Sequence, residues 1–371
     1  MSPRELLRYH RHLILPEIGK EGQEKLKQAK ILVIGCGGLG NAMLPYLAAA
    51  GVGNIGILDF DKIDESNLQR QIMYGQSSIG KQKTEVMAER LKEINPFIKI
   101  DSFNTRLTSE NALQIIQNYD IIADGTDNFP TRYLVNDACV LLKKVNVFAS
   151  IYRFDLQLSV FNYRNGPCYR CLFPEPPAPG TVPSCAEAGV FGVLPGVAGT
   201  LQANEIIKII TLTGEPLNGK LFTIDLLSFH PVLLTIDKDP ACPVCGENPT
   251  VKKLIDYEEF CNPKNNMKEI TVTELKRRLD AGEAIQLLDV REPMEYQISN
   301  IGGLLIPLSS LNKHIDKIRK DVPVVIYCRS GKRSATAVRK LNDEFGFNNT
   351  ANLKGGIIAW AQEIDPTLTV Y

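Results

Sequence analysis

The sequence predicts an α/β protein of two modules. The first is a Rossmann-like, mostly parallel, doubly wound sheet, and the second is a small α/β domain. Three observations carry this. Buried-strand runs alternate with helical runs from residue 30 onward, the pattern of a parallel sheet with crossover helices. A glycine-rich turn joins the first strand to the first helix. The alternation then starts afresh near Ile270, after proline-rich and polar interruptions. A chain of 371 residues is long enough for two domains.

Taken in order, MSPRELLRYHRHLIL interleaves apolar and charged residues and reads as one short amphipathic helix, not a secretory leader. KILVIG (30–35) is a buried strand, and NAMLPYLAAAGV beyond the glycine turn is a helix. NIGILDF (54–60) is the next strand, and KTEVMAERLKEIN (83–95) is a helix stopping before Pro96. YDIIADG (119–125) is another strand. PEPPAPGTVP (174–183) holds five prolines and excludes regular structure. VLPGVAGTLQANEIIKIIT resumes as a helix with small residues for close packing. The polar stretch that follows reads as a linker, giving domains at 1–248 and 268–371 joined by residues 249–267. In the second module AIQLLDV and VPVVIYC are strands and SATAVRKLNDEFG is a helix.

Lys+Arg and Asp+Glu are 42 each, so nothing global draws the chain to nucleic acid or to a membrane surface. No apolar run is long enough to span a bilayer. With no leader, the nine cysteines suggest a reducing cytoplasm, where cysteines bind metal or do chemistry.

GCGGLG (35–40) places Gly35, Gly37, Gly38 and Gly40 between a strand and a helix. Without Cβ atoms the backbone can approach an anion, and the helix N-terminus points N–H groups at it. Asp59, ending the next strand, suits a ribose hydroxyl. Asn67, Arg70 and Lys83 follow. A dehydrogenase needs no extra cations beside the phosphates, whereas an enzyme that breaks ATP does, because charge builds on the departing pyrophosphate. Asp127, in TDN after a strand end, either holds Mg²⁺ against phosphate oxygens or caps a helix. Cys168/Cys171 and Cys242/Cys245 form two C-x-x-C pairs. Together they suit a closed zinc site; apart they are redox motifs or loop cysteines.

The ordered set RYHRHLIL, GCGGLG, LDFD, NLQRQ, GKQK, TDN, PCYRCL, CAEAGV and CPVCG, over residues 1–248, resembles the MoeB/ThiF family of ATP-dependent adenylyltransferases, related to ubiquitin-activating enzymes. The resemblance implies that ATP lies over the glycine turn with Asp59 on its ribose. It implies that Arg70 and Lys83 handle phosphates, that Asp127 organises Mg²⁺, and that the four paired cysteines hold structural Zn²⁺. Arg11 resembles the arginine that reaches the neighbouring subunit's ATP site, which implies a homodimer. The implied substrate is the Gly-Gly carboxylate of a small ubiquitin-like sulfur carrier. Cys185, in SCAEAGV, matches a mobile-loop cysteine with persulfide or thioester roles in some relatives; an exposed loop thiol is the other reading. Cys36 and Cys139 read as packing residues.

LLDVRE (287–292), EY (295–296), the YCRSGKRSA loop (327–335) and LKGGIIAW (353–360) resemble the single-domain rhodanese family, over residues 268–371. Asn300 stands where that family has a histidine, which raises the expectation of altered loop packing. Phosphatases of related architecture use C-x5-R, but position 334 is Ser, which leaves the shorter loop of a sulfurtransferase. Arg329, Lys332 and Arg333 after Cys328, with a helix N-terminus at Ser334, suit a sulfur anion. Asp289 bonds the loop or caps its strand, and Trp360 packs as core.

The joint expectation is adenylation of the carrier followed by sulfur transfer from a Cys328 persulfide. The sulfur itself would come from thiosulfate or a cysteine-desulfurase persulfide. Molybdenum cofactor, thiamine, cysteine biosynthesis and tRNA thiolation use such pairs. Two other classes stand beside it. An NAD-dependent oxidoreductase is disfavoured by Arg70 and Lys83, and a non-catalytic carrier-docking scaffold by the intact Cys328 loop.

Overall fold

The computed structural model describes residues 1–177, 181, 188–261 and 267–370. Cys185 and much of the proline-rich stretch lie outside the described residues. The chain forms two compact units whose main boundary falls after Cys261.

The first unit is built on eight strands: β1 (Lys30–Ile34), β2 (Asn54–Leu58), β3 (Lys99–Phe103), β4 (Ile121–Asp124), β5 (Val145–Tyr152), β6 (Asp155–Phe161), β7 (Lys220–Asp225) and β8 (His230–Thr235). Their order is β3-β2-β1-β4-β5-β6-β7-β8. The first five run parallel and the last three continue antiparallel. Side chains alternate across a strand, so β1 feeds two cores. Ile31 and Val33 join Met43, Leu44, Val86 and Ile206 from the helices Gly38–Ala50, Lys83–Ile94 and Leu194–Thr211. Leu32 and Ile34 join Tyr133, Val135 and Ala138 from the helix Phe129–Leu141 on the other face. Burial on both faces is why these strands read as unbroken apolar runs.

The N-terminus forms two short helices, Pro3–Arg8 and His10–Leu13, where one was expected. Buried Tyr9 separates them. Its ring lies so close to Gly51 that a Cβ there would be 2.6 Å away, and its hydroxyl accepts from Asn95 Nδ2 at 2.8 Å. Within the expected linker, Leu254, Ile255, Tyr257 and Phe260 pack on the first unit, the last two from a helix Tyr257–Cys261.

The second unit carries β9 (Glu269–Ile270), β10 (Gln286–Asp289), β11 (Leu304–Leu305), β12 (Val324–Tyr327) and β13 (Thr350–Leu353). The order is β11-β10-β12-β13-β9, parallel throughout. Val325 and Tyr327 pack on Leu275, Ile357 and Trp360, so Trp360 is core as expected. Val324, Ile326 and Cys328 pack on Val338 and Leu341 of the helix Lys332–Phe345. Among the described residues no helix is long and apolar enough to cross a membrane.

Candidate functional sites

In the first unit the strand order reverses between β1 and β4, and such switch points open a crevice at the strands' carboxyl ends. The glycine turn, Asp59 and Lys83 are tied together near that point, through Asp59 and the loop after it. Gly35 follows β1 at φ +95°, and a Cβ would lie 2.8 Å from the Gly125 carbonyl oxygen, so only glycine fits. A Cβ on Gly40 would lie 2.0 Å from Gly35 O, which packs the turn against its helix. Gly37 caps the helix Gly38–Ala50 without a side-chain cap. A Cβ on Gly37 would meet only Gln71 Nε2, at 3.9 Å, so the backbone lies open on that side.

Asp59 is buried at the end of β2. Its two oxygens accept the N–H groups of Cys36 and Asp61, each at 2.8 Å, tying the glycine turn to the next loop. Burial pushes its carboxyl above the usual range, and the nearby Lys83 charge opposes that. Lys83 is itself 5% exposed and places Nζ 2.9 Å from Asp61 Oδ2. Asp61, the last residue of the LDFD run, thus orients the lysine. Asn67 Oδ1 accepts the Asp64 N–H at 3.2 Å, and Arg70 Nη1 donates to Ser66 O at 3.0 Å, so NLQRQ is a self-bonded turn. Gln71 Oε1 and Asn41 Nδ2 are buried beside this turn without partners. Of these, the unpartnered donor Asn41 Nδ2 suits an anion such as a nucleotide phosphate, and the acceptor Gln71 Oε1 suits a ligand hydroxyl or amine.

At the end of β4, Asp127 is exposed. It does not cap the following helix; Asn128 does, accepting the Thr131 N–H at 3.0 Å. One free-standing carboxylate is what Mg²⁺ bound chiefly through phosphates requires. Asp124 behind it accepts from the Thr126 N–H and hydroxyl at 2.9 and 2.6 Å. Its second oxygen has no partner, and burial pushes its carboxyl up. Arg11 is exposed on the helix His10–Leu13.

The four paired cysteines form one cluster. Cys168 and Cys242 sulfurs lie 3.6 Å apart, Cys171 and Cys245 3.4 Å, and all four lie within 4.8 Å of one another. Tetrahedral zinc with Zn–S near 2.3 Å has sulfur–sulfur edges of about 3.8 Å. The cluster fits that geometry, and two independent redox pairs would not converge. Beside it, Arg170 is buried in a bidentate pair with Asp137 at 2.9 and 2.8 Å. Tyr257 donates to the same carboxylate at 2.8 Å. This pair, 33 residues apart in sequence, left no local signal.

In the second unit Cys328 follows β12 and is 1% exposed. Its Sγ accepts the Gly331 N–H at 3.2 Å. Gly331, at φ +91°, caps the helix, which starts at Lys332, two residues earlier than expected. Among the loop's basic residues, Arg333 makes a bidentate pair with Glu295, both bonds at 2.6 Å. The EY motif therefore holds the loop's last arginine in place. Asp289 ends β10 beside its register partner Tyr327, the first residue of the Cys328 loop, and shares a side-chain hydrogen bond with it. It forms a fully buried pair with Arg291, which also donates to Ser299 O at 2.7 Å. Asn300 does not loosen its loop: Oδ1 accepts the Gly302 N–H at 3.0 Å and Nδ2 donates to Tyr296 O at 3.1 Å. A short amide thus makes the local bonds the loop needs. Cys36 and Cys139 are buried packing residues, as expected.

Comparison with known proteins gives concordant results. The ThiF family model matches residues 9–244, and the rhodanese-like domain model matches residues 271–363. A Mycobacterium tuberculosis protein named probable adenylyltransferase/sulfurtransferase MoeZ is 45% identical, over 100% of this chain and 96% of its own length. The Thermus thermophilus sulfur carrier protein adenylyltransferase is 53% identical over 69% of this chain and 97% of its own. The mouse adenylyltransferase and sulfurtransferase MOCS3 is 39% identical over 100% and 88%. Among solved structures, E. coli MccB with ATP superposes with a TM-score of 0.58 at 26% identity, covering 64% of this chain and 73% of that one.

Proposed function

The chain belongs to the ThiF family, a family of adenylyltransferases, and carries a rhodanese-like second domain; on that premise we propose a two-step conversion of a protein carboxylate into a thiocarboxylate. In the first step the C-terminal Gly-Gly carboxylate of a ubiquitin-like carrier attacks the ATP α-phosphorus. A carboxylate oxygen bonds to phosphorus, the bond to the bridging oxygen breaks, and pyrophosphate leaves. The glycine turn and the helix at Gly38 bind the phosphates, Asp59 takes the ribose, and Lys83 and Arg70 stabilise charge on the departing pyrophosphate. Asn67 braces the turn that carries Arg70. Asp127 would hold Mg²⁺, which when bound neutralises phosphate charge. Arg11 completes the site of a neighbouring copy in a homodimer. The four cysteines would hold zinc as a structural clamp.

In the second step a Cys328 persulfide attacks the acyl carbon and AMP leaves, forming an acyl disulfide. A second thiolate then attacks Cys328 Sγ and releases the thiocarboxylate. Cys185 is the candidate for that thiol, and the resulting disulfide requires an external reductant. Thiosulfate or a desulfurase persulfide loads Cys328.

The observation that carries this reading is the Cys328 loop. Its sulfur already accepts a backbone N–H, and its arginine at the fifth position is paired to Glu295. Both features support a loop that serves one sulfur rather than a four-oxygen phosphate. Incubation of candidate carriers with the protein, ATP, Mg²⁺ and thiosulfate tests it by intact-mass measurement. Exchange of one oxygen for one sulfur at the carrier terminus is expected. AMP release without that exchange for every carrier would refute the second step.

A further inference from the structure

Backbone donors are not the whole environment of Cys328. A line of three side chains from three elements reaches it from behind. Ser334, fully buried in the first turn of the helix Lys332–Phe345, puts Oγ 3.4 Å from Cys328 Sγ and 2.7 Å from Asn352 Oδ1. Asn352, on β13 and 3% exposed, donates Nδ2 to Glu269 Oε1 at 3.0 Å. Those two residues are register partners between β13 and β9. With Nδ2 committed to the carboxylate, the amide can only present Oδ1 to Ser334. The serine hydroxyl therefore has one proton and two acceptors.

We propose that the Ser334 hydroxyl is a two-position switch for Cys328, held in readiness by Asn352 and Glu269. Against the neutral thiol it donates to Asn352 Oδ1 and offers its oxygen to the S–H. Once the thiol proton has left to solvent, the O–H turns and donates to the sulfur anion beside the Gly331 N–H. No proton passes between residues. The turn exchanges a neutral hydrogen bond for a charge-assisted one, which is roughly twice as strong. Asn352 is a positioning residue that competes for the proton and so tempers the anion. This rests on Cys328 being the sulfur-carrying nucleophile.

The charged groups around Cys328 are Arg329, Lys332 and Arg333 on its own loop and helix, with Glu295 from the helix Pro293–Ile298. Beyond them stand the Asp289–Arg291 pair after β10, Lys354 after β13, and Glu269 on β9. The substitutions below alter none of them.

The test is iodoacetamide alkylation of the full chain, followed at the Cys328 peptide by mass spectrometry so that the other cysteines are scored apart. At pH 7, Ser334→Ala should slow alkylation about tenfold, the loss of one hydrogen bond to an anion. Asn352→Leu, near-isosteric and uncharged, removes the competitor and should speed it about threefold. Across a pH profile the differences from the parent should shrink or reverse at high pH, because a thiolate with fewer hydrogen bonds is the stronger nucleophile. A packing role alone would move both variants the same way, or neither. Any result other than opposite signs overturns the switch. If Ser334→Ala fails to fold, Asn352→Leu must still accelerate. Because no carrier or ATP is present, failure here is separable from failure of the carrier reaction.

Discussion

The two centres of this chain are built in opposite ways. The proposed nucleotide site draws on five places, the Gly35–Gly40 turn, Asp59, the Asn67–Arg70 turn, Lys83 and Asp127, at strand ends, in following loops or, for Lys83, at the first residue of a helix. It leaves Gln71 Oε1, Asn41 Nδ2 and Asp124 Oδ2 buried without partners. The sulfur centre is one continuous loop whose reactive atom is already hydrogen-bonded and whose flanking Arg333 is already paired. The first has the form of a site completed by a large polar ligand. The second is pre-organised around one atom. Changes in the first should therefore alter nucleotide use in graded fashion, whereas loss of the sulfur atom itself in the second should be all-or-none.

The largest expected effect is at the sulfur centre. Cys328→Ala should abolish thiocarboxylate formation while leaving ATP–pyrophosphate exchange at the parent rate, because no residue of the first centre lies in that loop. Loss of exchange in this variant would break the comparison. Next comes Lys83→Ala. On the role proposed for Lys83, removing this buried ammonium should lower the exchange turnover about 100-fold. Cys328 alkylation should be unchanged. Asp61→Asn, which leaves the lysine but removes its partner, should have a smaller effect, read as a rise in KM for ATP with turnover largely kept.

The same contrast explains what the sequence could disclose. Gly35–Gly40, Asp59 and the cysteine loop were legible because local backbone geometry dictates local residue choice. The parallel strands were legible because burial on both faces makes them apolar throughout. The antiparallel half was not. The β5–β6 hairpin turns through Arg153 at φ +54°, with no glycine to mark it. All of β8 is exposed, so its residues carry no alternation. The Asp137–Arg170–Tyr257 cluster was also hidden, since its members lie 33 and 120 residues apart.

That hidden cluster supplies an effect of intermediate size, on stability rather than rate. Arg170 and Asp137 side chains are 2% and 0% exposed, so Asp137→Asn leaves a buried guanidinium without its charge partner. Such a break costs about 3–5 kcal/mol, read from denaturant unfolding of the first unit. Tyr257→Phe should cost about 1 kcal/mol. Metal chelation should destabilise the same unit and leave Cys328 alkylation intact, since the cysteine cluster ties together segments of the first unit alone.

The smallest effect concerns the N-terminal helices that carry Arg11. Glu5 is held at about 2, chiefly by its hydrogen bond from Lys27 and next by the Ser2 N–H. The lysine ammonium lies 2.7 Å away. A carboxyl lowered on folding contributes stability that is fully present above its ordinary value of 4.5 and is lost as pH falls through about 2. The first unit should therefore lose melting temperature between about pH 5 and pH 2, and Glu5→Gln should flatten that part of the curve. The variant should be less stable than the parent at pH 7, and the difference should close as pH falls below about 2. Lys27 is 43% exposed, so solvent screening keeps the effect well below that of Asp137→Asn. Because Ser2 and Glu5 also form the capping box of Pro3–Arg8, the loosened helix should release the arm bearing Arg11. The mark of that release is faster hydrogen exchange at residues 3–13 in Glu5→Gln at neutral pH, with the Cys328 loop unaltered. Equal exchange in both proteins would mean that Tyr9, wedged on Gly51, holds the arm without the helix cap.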